Sequence, residues 1–370
     1  MGRSKWALLI VLLGMMVAMG GCFGGGPIRT GGLEGTVCVP TGDNASPPID
    51  ILKKGLALPP PGCRFLEGAD VKVAGRTSKT NSIGYFEIWD IPEGRHKLEI
   101  AHKNYQPYST WVRVYADDLT YVDDSPVKLG IGYYLLIGVG TSKFTATPSL
   151  GDGPRNDVGT MELALAKDDL WLGDYTVLID EDATFGAVEA AVRDLIGQMN
   201  ENDFLVIYFS GHGIGGTKSK LEVDALLLFD DMLIDVELEK WIRESRLNPN
   251  TNKVTLILDA CNSGSFADGE TRYPEEFGLK AFQQPRYTVL ASSSPEQSSE
   301  QYPYGKTYGV FTYHLVNGFL SDLGDLNQDG KITAAEARKY VDEQVAKEGL
   351  SQRVYLYPWG SDTRIFQYKR

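Results

Sequence analysis

The chain has 370 residues, enough for two domains and a tail with a substantial core. Its formal net charge is −13, and no basic cluster exceeds a few residues, which argues against DNA or RNA as a partner. The balance of apolar and charged residues is that of an ordinary soluble globular protein.

At the start, Arg3 and Lys5 precede Trp6–Met19, an apolar stretch too short to span a bilayer comfortably. It runs into Met19-Gly20-Gly21-Cys22, small residues directly before a cysteine, and so resembles a bacterial lipoprotein signal. That resemblance implies that residues 1–21 are removed and Cys22 is lipidated. The protein would then be exported and held to the cell membrane or outer membrane; cleavage without lipidation is the alternative. Residues 22–32, opening Phe23-Gly24-Gly25-Gly26, read as a flexible tether.

Residues 33–129 read as short strands separated by turns: Leu33–Val39, Ala69–Val73, Tyr85–Ile88, Arg95–Ala101 and Thr110–Val114. This spacing predicts a small all-β sandwich. The stretch Thr80–Tyr108, with its Gly84-Tyr85 strand start, its Pro92-Glu93-Gly94 turn and Tyr105, resembles the carboxypeptidase regulatory-like, transthyretin-like sandwich. No catalytic constellation occurs in it, so spacing, adhesion or substrate presentation are its expected roles. Cys38 and Cys63 bracket a proline-rich loop without periodicity. In an oxidising compartment such a spare pair closes a disulfide; two unpaired thiols are the alternative. Only Gly130-Ile131-Gly132 separates this region from the next, which predicts a fixed relation between the two.

From Tyr133 the pattern changes to apolar strands alternating with amphipathic helices, the mark of a mostly parallel sheet covered on both faces. Six strands are expected, at Tyr133–Val139, Tyr175–Ile179, Leu205–Phe209, Ala225–Phe229, Val254–Leu258 and Tyr287–Ala291. Thr184 is placed to cap one helix, and Asp235 opens another that turns Leu238, Trp241 and Ile242 inward. Two of these strands stop at reactive residues: LVIYFSGHG at Leu205–Gly213 and VTLILDACNSGS at Val254–Ser265. Open α/β sheets gather their chemistry beyond the carboxyl ends of such strands, which brings His212 and Cys261 to one rim. A thiol beside an imidazole is the minimal apparatus for nucleophilic attack on an amide. His96, His102 and His314 have no comparable context.

The pair FSGHG and LDACNSG resembles the signature of caspase-like cysteine peptidases of the metacaspase and paracaspase branches, over about Tyr133 to Val345. Cys261 follows His212 by 49 residues, close to the separation of about fifty known for caspases. The resemblance implies an α/β caspase-like fold over residues 131–370, with a mostly parallel six-stranded sheet and helices on both faces. It implies attack by Cys261 to form an acyl-enzyme, protonation of the leaving amine by His212, and an oxyanion held by the backbone N–H groups of Gly213 and Cys261. No cofactor is needed for this chemistry.

Metacaspase-type enzymes that cut after Arg or Lys line their first specificity pocket with acids, and Asp157, Ser210 and Asp259 match that pattern. The expected partner is therefore a peptide or protein with a basic residue at the cleavage site. Asp157 could instead cap a helix starting near Val158, and Ser210 could be a turn residue. Legumain-like relatives, which favour Asn, typically have Glu where this chain has Asp259. If specificity is basic, self-cleavage after Arg272, Lys280 or Arg286 is expected in the polar interval Ser265–Arg286.

Residues 325–336 have the ligand spacing of an EF-hand loop, with Asp325, Asn327, Asp329 and Glu336 at positions one, three, five and twelve and Gly330 at six. Lys331 would add its backbone carbonyl, and the expected ion is calcium, in a structural role. A polar turn that caps a helix without metal is the alternative. Two other classes of function stay open: a non-catalytic, calcium-binding surface lipoprotein used in adhesion, and a transamidase working through the same acyl-enzyme.

Overall fold

The computed structural model describes residues 28–40, 63–122, 127–144, 147–168, 173–215, 223–245, 247, 252–268, 281–302 and 307–368. The leader, Cys22, Arg272 and Lys280 lie outside the described residues.

Two sheets build the front region. In the first, β1 (Thr30–Pro40) pairs antiparallel with β2 (Cys63–Phe65) and β5 (Tyr85–Pro92). The same strand pairs parallel with β8 (Leu119–Tyr121) and β9 (Val127–Lys128). The second sheet is antiparallel and runs in the order β4-β3-β6-β7, with β3 Asp70–Val73, β4 Arg76–Lys79, β6 Gly94–His102 and β7 Tyr105–Val114. Period-two alternation turns Val71, Val73, Leu98, Ile100, Val112 and Val114 into a buried apolar cluster shared with Leu33, Val37, Phe86 and Ile88. Cys38 and Cys63 are disulfide-bonded, their Cα atoms 5.9 Å apart.

The junction is tight. A Cβ at Gly130 would overlap the Asn202 carbonyl, and the Asp203 carboxylate accepts the Ile131 N–H at 2.9 Å. From the far end of the chain, Arg364 Nη2 donates to the Tyr105 carbonyl at 2.9 Å, and Gln367 Nε2 donates to that of Lys103.

The second region is a six-stranded sheet in the order β11-β10-β12-β16-β17-β19. Its members are β10 Gly132–Gly138, β11 Tyr175–Ile179, β12 Phe204–Ser210, β16 Lys253–Asp259, β17 Tyr287–Ala291 and β19 Tyr355–Tyr357. All pairings are parallel except β17 with β19. Helices α1 (Gly153–Leu165), α4 (Val310–Leu320) and α5 (Ala334–Lys347) pack with Tyr134, Leu136, Tyr208 and Leu290. Helices α2 (Phe185–Gln198) and α3 (Asp235–Arg243) pack with Leu135, Ile137, Leu205, Ile207 and Leu256. Alternate residues of one strand thus enter different cores, which is why the sequence is apolar at every position there. Emptying such a position, as in Leu256→Ala, costs about 2–5 kcal/mol.

Membership of the sheet corrects one expectation. Residues from Ala225 do not supply the sixth strand; β14 (Ala225–Leu227) lies in a small side sheet between β13 (Gly213–Ile214) and β15 (Met232–Ile234). The sixth strand is β19, too short and too polar in context to announce itself; β18 (Lys331–Thr333) and β20 (Arg364–Gln367) pair with each other outside this sheet. Thr184 does cap α2, its hydroxyl accepting the Ala187 N–H. No described helix is long and apolar enough to cross a membrane.

Candidate active site

β12 and β16 are neighbours in register, with Ser210 opposite Asp259. His212 and Cys261 each lie two residues beyond that pair, so the parallel ladder carries both to its carboxyl rim. The His212 ring is half-buried, with Nε2 2.8 Å from the Pro148 carbonyl oxygen. A carbonyl can only accept, so Nε2 carries a proton and Nδ1 is the basic nitrogen of the neutral ring. Cys261 is the free cysteine of the described residues and is half-buried. Its Sγ lies 3.9 Å from the Ser299 carbonyl oxygen.

Gly213 fits against the cysteine. A Cβ there would stand 2.1 Å from the Cys261 carbonyl oxygen, so only glycine lets the two strand ends approach. The Leu227 N–H donates to the His212 carbonyl at 3.0 Å, which makes Gly213 and Leu226 a non-hydrogen-bonded pair of the β13–β14 ladder. The Gly213 N–H is therefore spared by that ladder.

The cysteine loop is pinned on each side. The Ser292 and Ser293 hydroxyls donate to the Ala260 carbonyl at 3.2 and 2.9 Å. Asn262 has φ +56°, a left-handed conformation that Asn tolerates better than most residues. Its N–H donates to the Gln297 carbonyl at 2.8 Å and its Nδ2 to that of Pro295 at 2.7 Å. Gly264 is required because a Cβ would press to 2.7 Å from the Ser293 carbonyl oxygen.

Asp157, Ser210 and Asp259 are brought together beneath this rim. Ser210 Oγ donates to Asp157 Oδ2 at 2.7 Å. The Gly309 N–H donates to the same carboxylate at 2.9 and 3.1 Å. Asp259 accepts from Ser299 Oγ at 2.7 Å, from Thr312 Oγ1 at 2.8 Å and from the Thr312 N–H at 3.1 Å. Both carboxylates approach one point, where a Cβ on Gly309 would lie 2.1 Å from Asp259 Oδ2 and 3.1 Å from Asp157 Oδ2. Burial, and next the charge of Asp259, pushes Asp157 up to about 8. Burial raises Asp259 as well. Two carboxyl groups so close and so dry hold a proton between them at neutral pH.

Their bonding also explains α4. Its first residues follow Gly309, which has no side chain to cap them, and the two aspartates accept the orphan N–H groups from outside the helix. Asp157 itself lies inside α1, which begins at Gly153, so it is not that helix's cap. Ser210 ends a strand rather than forming a turn. Ser299, Thr312, Gly309 and the Pro148 carbonyl were not singled out from the sequence. They reach the site from 40 to 64 residues away in the chain or farther, where local pattern carries no signal.

The loop at 325–336 is curled around its own backbone. Asp325 accepts the N–H groups of Asp329 at 3.0 Å and Gly330 at 2.8 Å, and Asn327 accepts that of Asp329 at 2.9 Å. Asp329 accepts the Lys331 N–H at 3.0 Å. Gly330 takes φ +90°, as position six of such a loop requires. The Glu336 carboxylate instead closes a capping box with Thr333 at the start of α5 and accepts the Asn327 N–H at 3.3 Å. Among the described residues no three His, Cys, Asp or Glu side chains converge into a metal cluster.

A concavity of about 730 Å³ lies at the opposite, amino end of the sheet, beside Lys253, Thr255 and Thr288. It is remote from His212 and Cys261.

Residues 133–357 match the family described as the Caspase domain. Metacaspase-2 of Trypanosoma brucei brucei is 29% identical over 158 residues, covering 38% of this chain and 41% of its own length. Metacaspase-3 of the same organism is also 29% identical over 158 residues, covering 38% and 40%. The chain thus spans about two fifths of the length of these curated relatives. A crystal structure of a protein from Geobacter sulfurreducens gives a TM-score of 0.45 at 17% identity, covering 65% of this chain and 97% of that one. Caspase-1 from Spodoptera frugiperda gives 0.44 at 13%, covering 65% and 92%.

Proposed function

This chain belongs to the Caspase domain family, and from that premise we propose that it is a cysteine endopeptidase cutting after Arg or Lys. The observation that carries the reading is the placement of His212 and Cys261 on one strand rim directly above the buried pair Asp157 and Asp259. Cys261 Sγ attacks the scissile carbonyl while His212 Nδ1 takes the thiol proton. The Nε2–H bond to Pro148 keeps the ring oriented and stabilises the imidazolium. The oxyanion is received by the N–H groups of Gly213 and Cys261, the first of which its own ladder does not use. His212 then protonates the leaving amine, and water releases the acyl group.

A cationic side chain would meet Asp157, Ser210 and Asp259. A carboxylate has about four acceptor positions, so each aspartate keeps capacity beyond the bonds from α4. The guanidinium or ammonium takes the place of the retained proton, which passes to water, and bridges the two carboxylates.

The test uses protein from Gly24 onward and fluorogenic peptides ending in Arg, Lys, Asn or Asp, beside the Cys261→Ala variant. Cysteine-dependent cleavage after Arg or Lys is expected. Cleavage only after Asn or Asp would keep the enzyme and remove the pocket assignment.

Three further readings accompany this one. The front region is proposed to be a carboxypeptidase regulatory-like sandwich that holds the peptidase away from its attachment. Residues 1–21 are proposed to be a lipoprotein signal and Cys22 the lipidated residue, which the intact mass of the membrane-extracted protein checks. The 325–336 loop is proposed to take calcium, since its residue types and the turn at Gly330 fit that ion once Glu336 leaves the capping box. A thermal midpoint that rises with calcium and falls with chelator is the expected result. An unchanged midpoint would leave Glu336 as a helix cap only.

A further inference from the structure

The front region carries a concave feature that peptide cleavage does not use. β7 is the outer strand of its sheet, and β8 belongs to the other sheet through β1. Between them opens a groove of about 410 Å³, floored by Val112 and Val122. Its walls are Arg95, Trp111, Arg113, Tyr115 and Tyr121. The three aromatic rings, on β7, just past its end and on β8, are 59%, 50% and 51% exposed in chain order, an unusual concentration around one groove.

The charges are arranged against stability. Arg95 and Arg113 face each other directly across the β6–β7 ladder, and like charges in that relation destabilise a sheet. Each guanidinium lies over a ring, Arg95 at 5.2 Å from the centroid of Trp111 and Arg113 at 5.6 Å from that of Tyr115. Among the described residues no carboxylate lines the groove. Of the acids close by in the chain, Glu99 pairs with Lys97 and Asp117 with Arg29. In a chain of net charge −13, a groove with two apposed guanidiniums and no carboxylate among its described lining residues is complementary to an anion.

Its position leaves it accessible. The β6–β7 turn touches the peptidase region through Lys103 and Tyr105, whereas Arg95 and Arg113 lie at the other end of the same two strands. The start of β1 is at that far end too, with Thr30 opposite Pro92.

We propose that this groove binds an acidic polysaccharide. Carboxylate or sulfate groups sit on Arg95 and Arg113, and the flat C–H faces of pyranose rings lie on Trp111 and Tyr121. A bilayer presents a flat surface that a groove cannot use. An acidic peptide would answer the guanidiniums but offers no ring faces to the three aromatics. The inference is independent of the peptidase reading.

The test titrates the chain from Gly24 onward, carrying Cys261→Ala to prevent self-cleavage, with tetragalacturonate and with a sulfated tetrasaccharide. Heat and tryptophan fluorescence are followed. Saturable binding to at least one of the two is expected, weakening as salt rises. Arg113→Gln and Trp111→Ala should each weaken it about tenfold or more, about 1.4 kcal/mol. Both variants alter exposed side chains; Trp111→Ala should keep the parent's thermal midpoint, and Arg113→Gln should not lower it, because it removes one of two apposed like charges. No saturable binding to either ligand would overturn the proposal. Equal affinity for neutral maltotetraose would overturn the role of the arginines, and equal affinity for poly-glutamate would overturn the sugar class.

Discussion

His212 and Cys261 lie just past the ends of β12 and β16. The acid pair lies beneath them, Asp259 at the end of β16 and Asp157 in α1, yet the two pairs are built in opposite ways. His212 and Cys261 are half-buried, and among the described residues each side chain makes one hydrogen bond, to the carbonyls of Pro148 and Ser299. Asp157 is fully buried and Asp259 is 5% exposed, and both are bonded by Ser210, Ser299, Thr312 and Gly309. In the proposed mechanism the groups that would move a proton are loosely held at the rim. The groups that would receive a substrate's charge are fixed from several elements, at a cost in desolvation.

The sharpest break between the two comes from removing the thiol. Cys261→Ala should lower turnover about 10⁴-fold or more and leave the denaturation midpoint within about 1 °C, because few contacts are lost. A large fall in stability would show that the rim is scaffold after all.

Gly309→Ala should do the reverse. The added methyl meets Asp259 Oδ2, so a loss of about 1–3 kcal/mol in urea denaturation is expected. A drop in kcat/KM on Arg peptides should accompany it. Full stability in this variant would mean that the acids are less tightly held than their bonds indicate.

Ser299→Ala is smaller, since it deletes one donor to Asp259 and keeps the carbonyl beside Cys261. A loss of about 0.5–1.5 kcal/mol in transition-state binding of Arg substrates is expected, with no comparable loss in alkylation of Cys261 by iodoacetamide. Equal losses in both would place the effect on the nucleophile.

The pH dependence of stability is the finest discriminator. Free aspartate loses its proton near 4, whereas Asp157 in the folded chain keeps it to about 8, through burial and the neighbouring Asp259. Between those values the folded state binds more protons than the unfolded one, so stability falls as pH rises. Asp157→Asn should flatten that slope, gaining about 2–4 °C in midpoint for each kcal/mol recovered at pH 8. An identical slope in both proteins would assign it elsewhere, as to Asp203, which burial raises to about 6.

Much of this was legible in the sequence because it is written in local pattern. Leu205–Phe209 and Val254–Leu258 announce strands buried on both faces, and each ends at the residue that matters. Asp157, Ser210 and Asp259 were identified through a resemblance, and the structure does gather them. What the sequence withheld is non-local. Thr312 and Gly309 reach Asp259 and Asp157 from α4, which lies far along the chain, because an uncapped helix start needs acceptors. The strand β19 was missed because three residues, Tyr355–Tyr357, cannot show a period. Ala225–Leu227 has strand chemistry, yet pairs in a side sheet with Gly213–Ile214. The EF-hand spacing was plain to read, but pattern does not say that Glu336 also satisfies the first turn of α5.

The most direct measurement is intact-mass analysis after reaction with an arginyl acyloxymethyl ketone, followed by peptide mapping. The account predicts a single adduct on Cys261, absent in Cys261→Ala and strongly slowed in Asp259→Asn. Labelling by an aspartyl analogue with none by the arginyl one, or an adduct away from Cys261, would contradict it.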